Sequence, residues 1–156
     1  MSRVRTLRNA IRAALATLPD LAAPIAAGTV YIEDAPTVEH AWEAASGKPS
    51  IVIVYLSKGK EGGRLSTRVN DDFTFRFALV YIADSYQRED TLDGLYEAEE
   101  IAEMGMALRG VKLATMNGEP VYLAYGSEVP LVPPNRPVEG GRAGFAQTWE
   151  STKVRV

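Results

Sequence analysis

His40 is the only histidine in this chain of 156 residues, and it stands between Glu39 and Ala41, two residues before Trp42. Nucleophilic or acid/base chemistry needs a nucleophile, a base and an orienting group brought together in space. A small acid/base enzyme using His40 with a carboxylate is therefore one function class to test, set against a surface or packing role for the same side chain. One histidine also excludes multi-histidine metal sites. Carboxylates gather at Asp71 and Asp72, at Asp90, Asp93 and Glu97, and at Glu99, Glu100 and Glu103. Such oxygen ligands suit a hard cation, but no DxDxDG-like loop orders them. Helix polarity accounts for Asp93 and Glu97, and a solvated helix face for Glu99 and Glu103. The expectation is no catalytic residue, no metal and no cofactor.

The segment SKGKEGGR has the glycines and lysines of a phosphate-binding loop in the wrong order. A Walker motif runs Gly, four residues, then Gly-Lys-Ser/Thr at the start of a helix, whereas Gly59, Gly62 and Gly63 precede Arg64 and another extended stretch. The segment reads instead as a charged hairpin tip, with docking onto another subunit as a variant of that reading. Lys58, Lys60, Arg64 and Arg68, with Arg5, Arg8 and Arg12, form basic patches without interleaved aromatic residues or a helix-turn-helix pattern. Phosphate-only contact is the most they support, so a DNA-contacting accessory protein is a second alternative class, with no sequence-specific nucleic acid expected. The formal net charge of -3 offers no global field for polyanions.

These side chains must be carried by one domain spanning residues 1–156, a usual size for a single core. Apolar residues make up 46% and charged residues 24%, well away from the composition of disordered chains. The chain has no cysteine, which excludes a disulfide framework. No apolar run approaches the roughly 18 residues of a membrane span, because Arg12 and Asp20 interrupt the richest stretch. The Arg-rich start imitates a targeting peptide, but Arg8 and Arg12 inside its apolar segment favour a folded helix.

Val4, Leu7, Ile11, Ala14, Leu15 and Leu18 recur at helical spacing, with Arg5, Arg8 and Arg12 on another face and Pro19 as the stop. Those arginines lie near the positive end of the helix dipole, a misfit that hints at an acidic partner. A short strand is expected over residues 29–32 and a brief helix from Pro36-Thr37 through Ala45, closing at Gly47. Residues 50–56 (SIVIVYL) and the second half of residues 73–83 (FTFRFALVYIA) are apolar at both parities, so both strands are covered on both faces. Residues 57–72 form an exposed hairpin between them. A second helix, with Leu92, Leu95, Ala98, Ala102 and Met106 inward, runs from Thr91 and ends at Gly110. VKLA and VYLAY form a hairpin around Asn117-Gly118, loosened by Met116, Glu119 and Pro120. Residues 127–142 are a Pro-rich arm that cannot be a central strand. A last strand follows, with Phe145 and Trp149 on one face and Thr148, Thr152 and Val154 on the other.

The fold class expected is α+β: a mixed, mainly antiparallel sheet of four to six strands with two main helices packed on one face. Two helices cover one face only. Exposing Val52, Val54, Leu56, Val80 and Ile82 on the other would forgo about 1.5–3 kcal/mol for each large side chain. The cover is expected from the C-terminal half of the chain or from a neighbouring subunit, and identical subunits meeting head to tail close into a ring.

An amphipathic helix (RTLRNAIRAALATL), a two-sided strand after a polar break (KPSIVIVYLS), a charged hairpin, a second strand (FTFRFALVYIADS), a capped helix near residues 91–109 and a closing strand (TWESTKVRV) follow in order. That order resembles the tail terminator and minor tail proteins of Mu-like and lambda-like bacteriophages. It spans nearly the whole chain, apart from the Pro-rich segment around Val129 and Pro137, which has no place in the family pattern. The resemblance implies a structural protein without catalytic residues. It would be a homo-oligomeric ring, commonly hexameric, that caps the tail tube protein and meets the head-tail connector protein, in the virion tail after assembly in the bacterial host cytoplasm. A neck or other minor tail subunit is the near alternative. The interface residues expected are Arg5, Arg8 and Arg12 on the helix and Lys58, Lys60, Glu61 and Arg64 on the hairpin.

Overall fold

A computed structural model describes residues 2–45, 48–60, 72–83, 91–131 and 143–155. The elements in chain order are α1 (Arg3–Thr17), α2 (Ala22–Ala26), β1 (Tyr31–Ala35), α3 (Ala41–Ala45), β2 (Ser50–Lys60), β3 (Asp72–Ala83) and α4 (Thr91–Gly105). After them come a 3-10 turn (Met106–Leu108), β4 (Ala114–Met116), β5 (Glu119–Val121), β6 (Leu123–Leu131), β7 (Ala143–Ser151) and β8 (Val154–Arg155). The tips of the expected hairpin (residues 61–71) and arm (residues 132–142) lie outside the described residues, as do Gly47, Asp71, Asp90 and the side chains of Leu92, Asp93 and Leu95.

The expected class holds. Among the described residues the main sheet has six strands in the order β1-β2-β3-β7-β6, with β8 also on β3, and β4 and β5 form a separate pair. β1 runs parallel to β2, and the other neighbours are antiparallel. On one face α1 and α4 pack over Ile51, Ile53, Phe75, Phe77, Leu79, Tyr81 and Trp149. Helix α1 starts at Ser2, whose side chain accepts the Arg5 N–H at 3.1 Å, the arrangement that satisfies an orphan helix donor. Its Leu7, Ile11 and Leu15 are fully buried at steps of four residues. Each contributes about 1.5–3 kcal/mol relative to an exposed position.

On the opposite face the main cover is neither of the two expected, the C-terminal half of the chain or a neighbouring subunit. Val52, Val54, Val80 and Ile82 are each 0% exposed within the single chain. Their cover is α3, through Ala41, Trp42 and Ala45, with Ala35, Val38, Leu131 and Ala146 around it. The reason lies in the parallel pair. Two parallel neighbours must be joined by a crossover of a dozen or more residues, and the β1 to β2 crossover carries α3 across this face. Ala41 and Ala45, one turn apart, let the short helix lie close, and Trp42 spreads over the sheet. Gly144 makes room for it, since a Cβ there would lie 3.3 Å from the Trp42 ring and 2.9 Å from the Tyr81 carbonyl. Only Leu56 of the five stays outside, 41% exposed, beside the β-bulge that shifts the β2 to β3 register between Tyr55 and Ser57.

Several boundaries also move. Asn117 and Gly118 have φ of +50° and +80°, the left-handed pair of a two-residue hairpin turn, so Met116 and Glu119 pair directly across it. VYLAY is then divided: Val121 ends β5, and β6 begins at Leu123. The first part of the expected arm, residues 127–131, is strand rather than loop, and it lies at the sheet edge, where Pro130 costs no ladder bond. The closing strand breaks at Thr152 and Lys153, where Thr152 N–H donates to the Tyr122 carbonyl at 2.8 Å. The break changes parity, so Val154 joins Trp149 in the core below α1 and α4 instead of the opposite face.

Candidate functional site

The residues able to carry function concentrate at the two edges of the sheet. At the β1 edge, Tyr31 donates its N–H to the Pro49 carbonyl at 2.9 Å. Backbone groups alternate sides along a strand, so the Ile32 carbonyl points outward, away from β2. Arg12 fills that position. Its Nη1 donates to the Ile32 carbonyl at 3.0 Å and its Nη2 to Asp34 Oδ2 at 2.6 Å, while Arg8 Nε lies 3.8 Å from Asp34 Oδ1. The expected acidic partner of the helix arginines is thus Asp34 of the same chain. The pair is about 40% exposed on each side, so it contributes only about 0.2–1 kcal/mol. Its structural effect is to block an open strand edge with a charge, which discourages unregulated strand pairing. Arg5, one turn earlier on the same stripe, is exposed and has no carboxylate partner among the described residues.

Lys58 sits on the outer part of β2 with its Nζ 4.8 Å from the Phe73 ring centroid, a cation–π contact. Lys60 ends that strand, and Glu61 and Arg64 lie outside the described residues. His40 is exposed on the turn before α3, its Nδ1 2.6 Å from Thr37 Oγ1. Its backbone N–H also points to that oxygen at 3.4 Å, so Thr37 and His40 shape the entry to α3. Near Leu56 the uncovered end of the second face forms an open groove with Arg76, Gly126, Thr148 and Glu150. Arg76 and Glu150 face each other across β3 and β7 at 3.8 Å.

The β6 edge holds a cluster that sequence reasoning missed. Glu99 and Glu103 of α4 and Gln147 of β7 gather around Glu128 of β6. Gln147 is buried, and it is fixed in turn by the Trp149 indole N–H, which donates to its Oε1 at 3.2 Å. Behind them the Tyr81 hydroxyl is fully buried, and neither it nor Glu128 Oε1 has a hydrogen-bond partner. Burial, and then the neighbouring Glu99 and Glu103, push the Glu128 carboxyl above its ordinary 4.5. Burial first and Glu128 second push the Tyr81 phenol up. Glu99 and Glu103 were read as a solvated face because Glu128 belonged to a segment read as a loop. Among the described residues no group of three His, Asp or Glu side chains is placed to hold a metal ion, and no helix is long and apolar enough to cross a membrane.

The chain shares its fold with part of a virus-like particle. It aligns with a chain from the virion of a native gene transfer agent particle at a TM-score of 0.57 and 17% identity, over 96% of this chain and 95% of that one. No protein-family model and no curated protein matches the sequence. The shared fold extends over essentially the full length of the virion chain, so the mixed sheet and its helices form the whole of that common architecture.

The cluster sets a pH dependence. A folded-state carboxyl raised above its ordinary value gives stability that is full below that value and is lost as pH rises through the raised one. Glu128→Gln keeps a side chain that can hydrogen-bond Glu99 and removes the like charge. We expect its Tm to exceed that of the parent by about 1–3 °C at pH 7, with the difference vanishing near pH 4. Thermal melts across that range decide it, and an equal shift at both pH values would assign the effect to packing.

Proposed function

We propose that this protein is a structural subunit of a phage-like particle, a tail terminator whose identical copies close into a ring on the finished tail tube. The carrying observation is the full-length fold shared with a chain of a gene transfer agent virion. The order of elements that resembles tail terminators agrees with it, and so does the placement of charge at two opposite sheet edges. Ring closure needs no uncovered sheet face, which α3 closes within each copy. It needs two different, complementary surfaces on one subunit, the condition for head-to-tail association.

The partners are other copies of the chain, the tail tube protein and the head-tail connector protein. The hairpin residues Lys58, Lys60, Glu61 and Arg64 are assigned to contact with the tube or connector. No catalytic step and no cofactor enters this role. The working place is the virion tail, reached by assembly in the host cytoplasm. Electron microscopy of the purified protein is expected to show rings of uniform diameter that bind the ends of tail tubes. Particles that remain monomeric at high concentration and leave tube ends bare would refute the reading.

A further inference from the structure

We propose that the carboxyl cluster of Glu99, Glu103 and Glu128 at the β6 edge receives the arginine-bearing first turn of α1 from a second copy of this chain, with Arg5 as the principal cation. This contact rests on the assembly reading above and specifies which surfaces meet.

Three observations lead to it. The cluster lacks a counter-charge: among the described residues no lysine or arginine pairs with Glu99, Glu103 or Glu128, and the groups facing Glu128 are Glu99 and Glu103 from α4, Gln147 from β7 and Tyr81 from β3. Its interior is also incomplete, because the fully buried Tyr81 hydroxyl and the buried Glu128 Oε1 both lack partners. Native structures leave few buried polar groups unpaired, and such groups mark a missing partner or a function. Finally, the complementary charge is on the same chain at the other edge. The first turn of α1 contains no acidic residue and carries Arg3 and Arg5 at the positive end of a helix dipole. Arg5 lies on the stripe of Arg8 and Arg12, which reach Asp34 in β1.

β1 and β6 are the two ends of the sheet order. A contact between them cannot be satisfied reciprocally between two copies by one shared patch, so it repeats head to tail and propagates to a ring or filament. In the free subunit burial and the neighbouring acidic side chains disfavour the ionised form of the Glu128 carboxyl. An arriving guanidinium offsets that penalty and forms charge-assisted bonds to the carboxyl cluster. Tyr81 then stands behind an ionised Glu128 as a donor.

Sedimentation velocity of the full chain over a concentration series at pH 7 tests the contact, with circular dichroism to verify folding of each variant. Arg5→Glu and Glu103→Arg should each weaken self-association by about tenfold or more, and the double variant should restore most of it, since like charges at a contact are strongly unfavourable. Glu128→Gln should weaken association too while raising the Tm of the subunit at pH 7, a pair of opposite signs that a merely structural role does not produce. If the parent protein assembles and the single variants assemble equally well, or the double variant gives no rescue, this contact is wrong and the assembly reading stands. If the parent protein never assembles and leaves tube ends bare, both fall.

Discussion

Replacing Trp42 by alanine should destabilise the protein by about 3–5 kcal/mol, the range found for deleting a large aromatic side chain from a packed interior. Trp42 is 5% exposed, and it is the largest side chain in the cluster that closes the second face of the sheet. The surrounding cover cannot collapse into the gap. Ala41 and Ala45 are short, α3 has only five residues, and the sheet below is held by ladders on both sides of β3. Water would then reach Val52, Val54, Val80 and Ile82, the residues whose burial decides whether one copy of the chain is self-sufficient. Urea denaturation of the isolated subunit measures the loss, and light scattering measures whether the opened face aggregates. Trp42→Phe should retain more than half of the stability, because a phenyl ring still spans part of the same floor. A cost below about 1 kcal/mol for Trp42→Ala would mean that the crossover helix is not the cover.

The same helix marks where sequence reading succeeded and where it stopped. Strands β2 and β3 were legible because their two-sided apolar pattern has a single physical meaning, burial on both faces. The α1 stripe was legible because its period is unambiguous, and Leu7, Ile11 and Leu15 sit where that period puts them. What the pattern could not supply was the identity of the cover. A five-residue helix weighs little by periodicity, yet the crossover geometry of a parallel pair forces it across the open face, and pairing direction is invisible before the sheet is assembled. The expectation that the C-terminal half of the chain or a neighbouring subunit shields Val52, Val54, Val80 and Ile82 therefore missed the main cover, α3, while the amphipathic reading beneath it held.

The candidate surfaces follow the same division. Arg8 and Arg12 asked for an acidic partner, and Asp34 supplies it; no local rule links residues separated by a helix, a turn and a strand. The Glu99, Glu103 and Glu128 cluster needed one further fact, that the chain around Glu128 is an edge strand. Pro130 argued against a strand there, and correctly excluded a central one, but an edge position costs it nothing. Parity gave way in the last strand for a comparable reason. Thr152 turns its backbone to Tyr122, and Val154 changes face.

Gly105 closes α4 against the sheet, and changing it should have an effect opposite to helix propensity. In an exposed helix, Gly→Ala stabilises by about 1 kcal/mol. Here a Cβ would overlap the Tyr81 hydroxyl oxygen outright and approach the ring carbon that bears it to 2.9 Å. Tyr81 is 0% exposed and cannot swing aside, so α4 must lift from β3 or the ring must shift, and overpacking of that kind costs about 1–3 kcal/mol. The hydroxyl itself has no hydrogen-bond partner. Tyr81→Phe alone should therefore leave stability unchanged or raise it, since the group removed is a buried, unsatisfied donor. In the Tyr81→Phe background the penalty for Gly105→Ala should shrink by at least about 1 kcal/mol, a coupling that a double-mutant cycle in urea isolates. Additive effects would mean that Gly105 and the Tyr81 hydroxyl do not touch. A large loss from Tyr81→Phe would mean that the hydroxyl already has a partner in the free subunit, and the polar groups behind Glu128 would then be satisfied without a second copy.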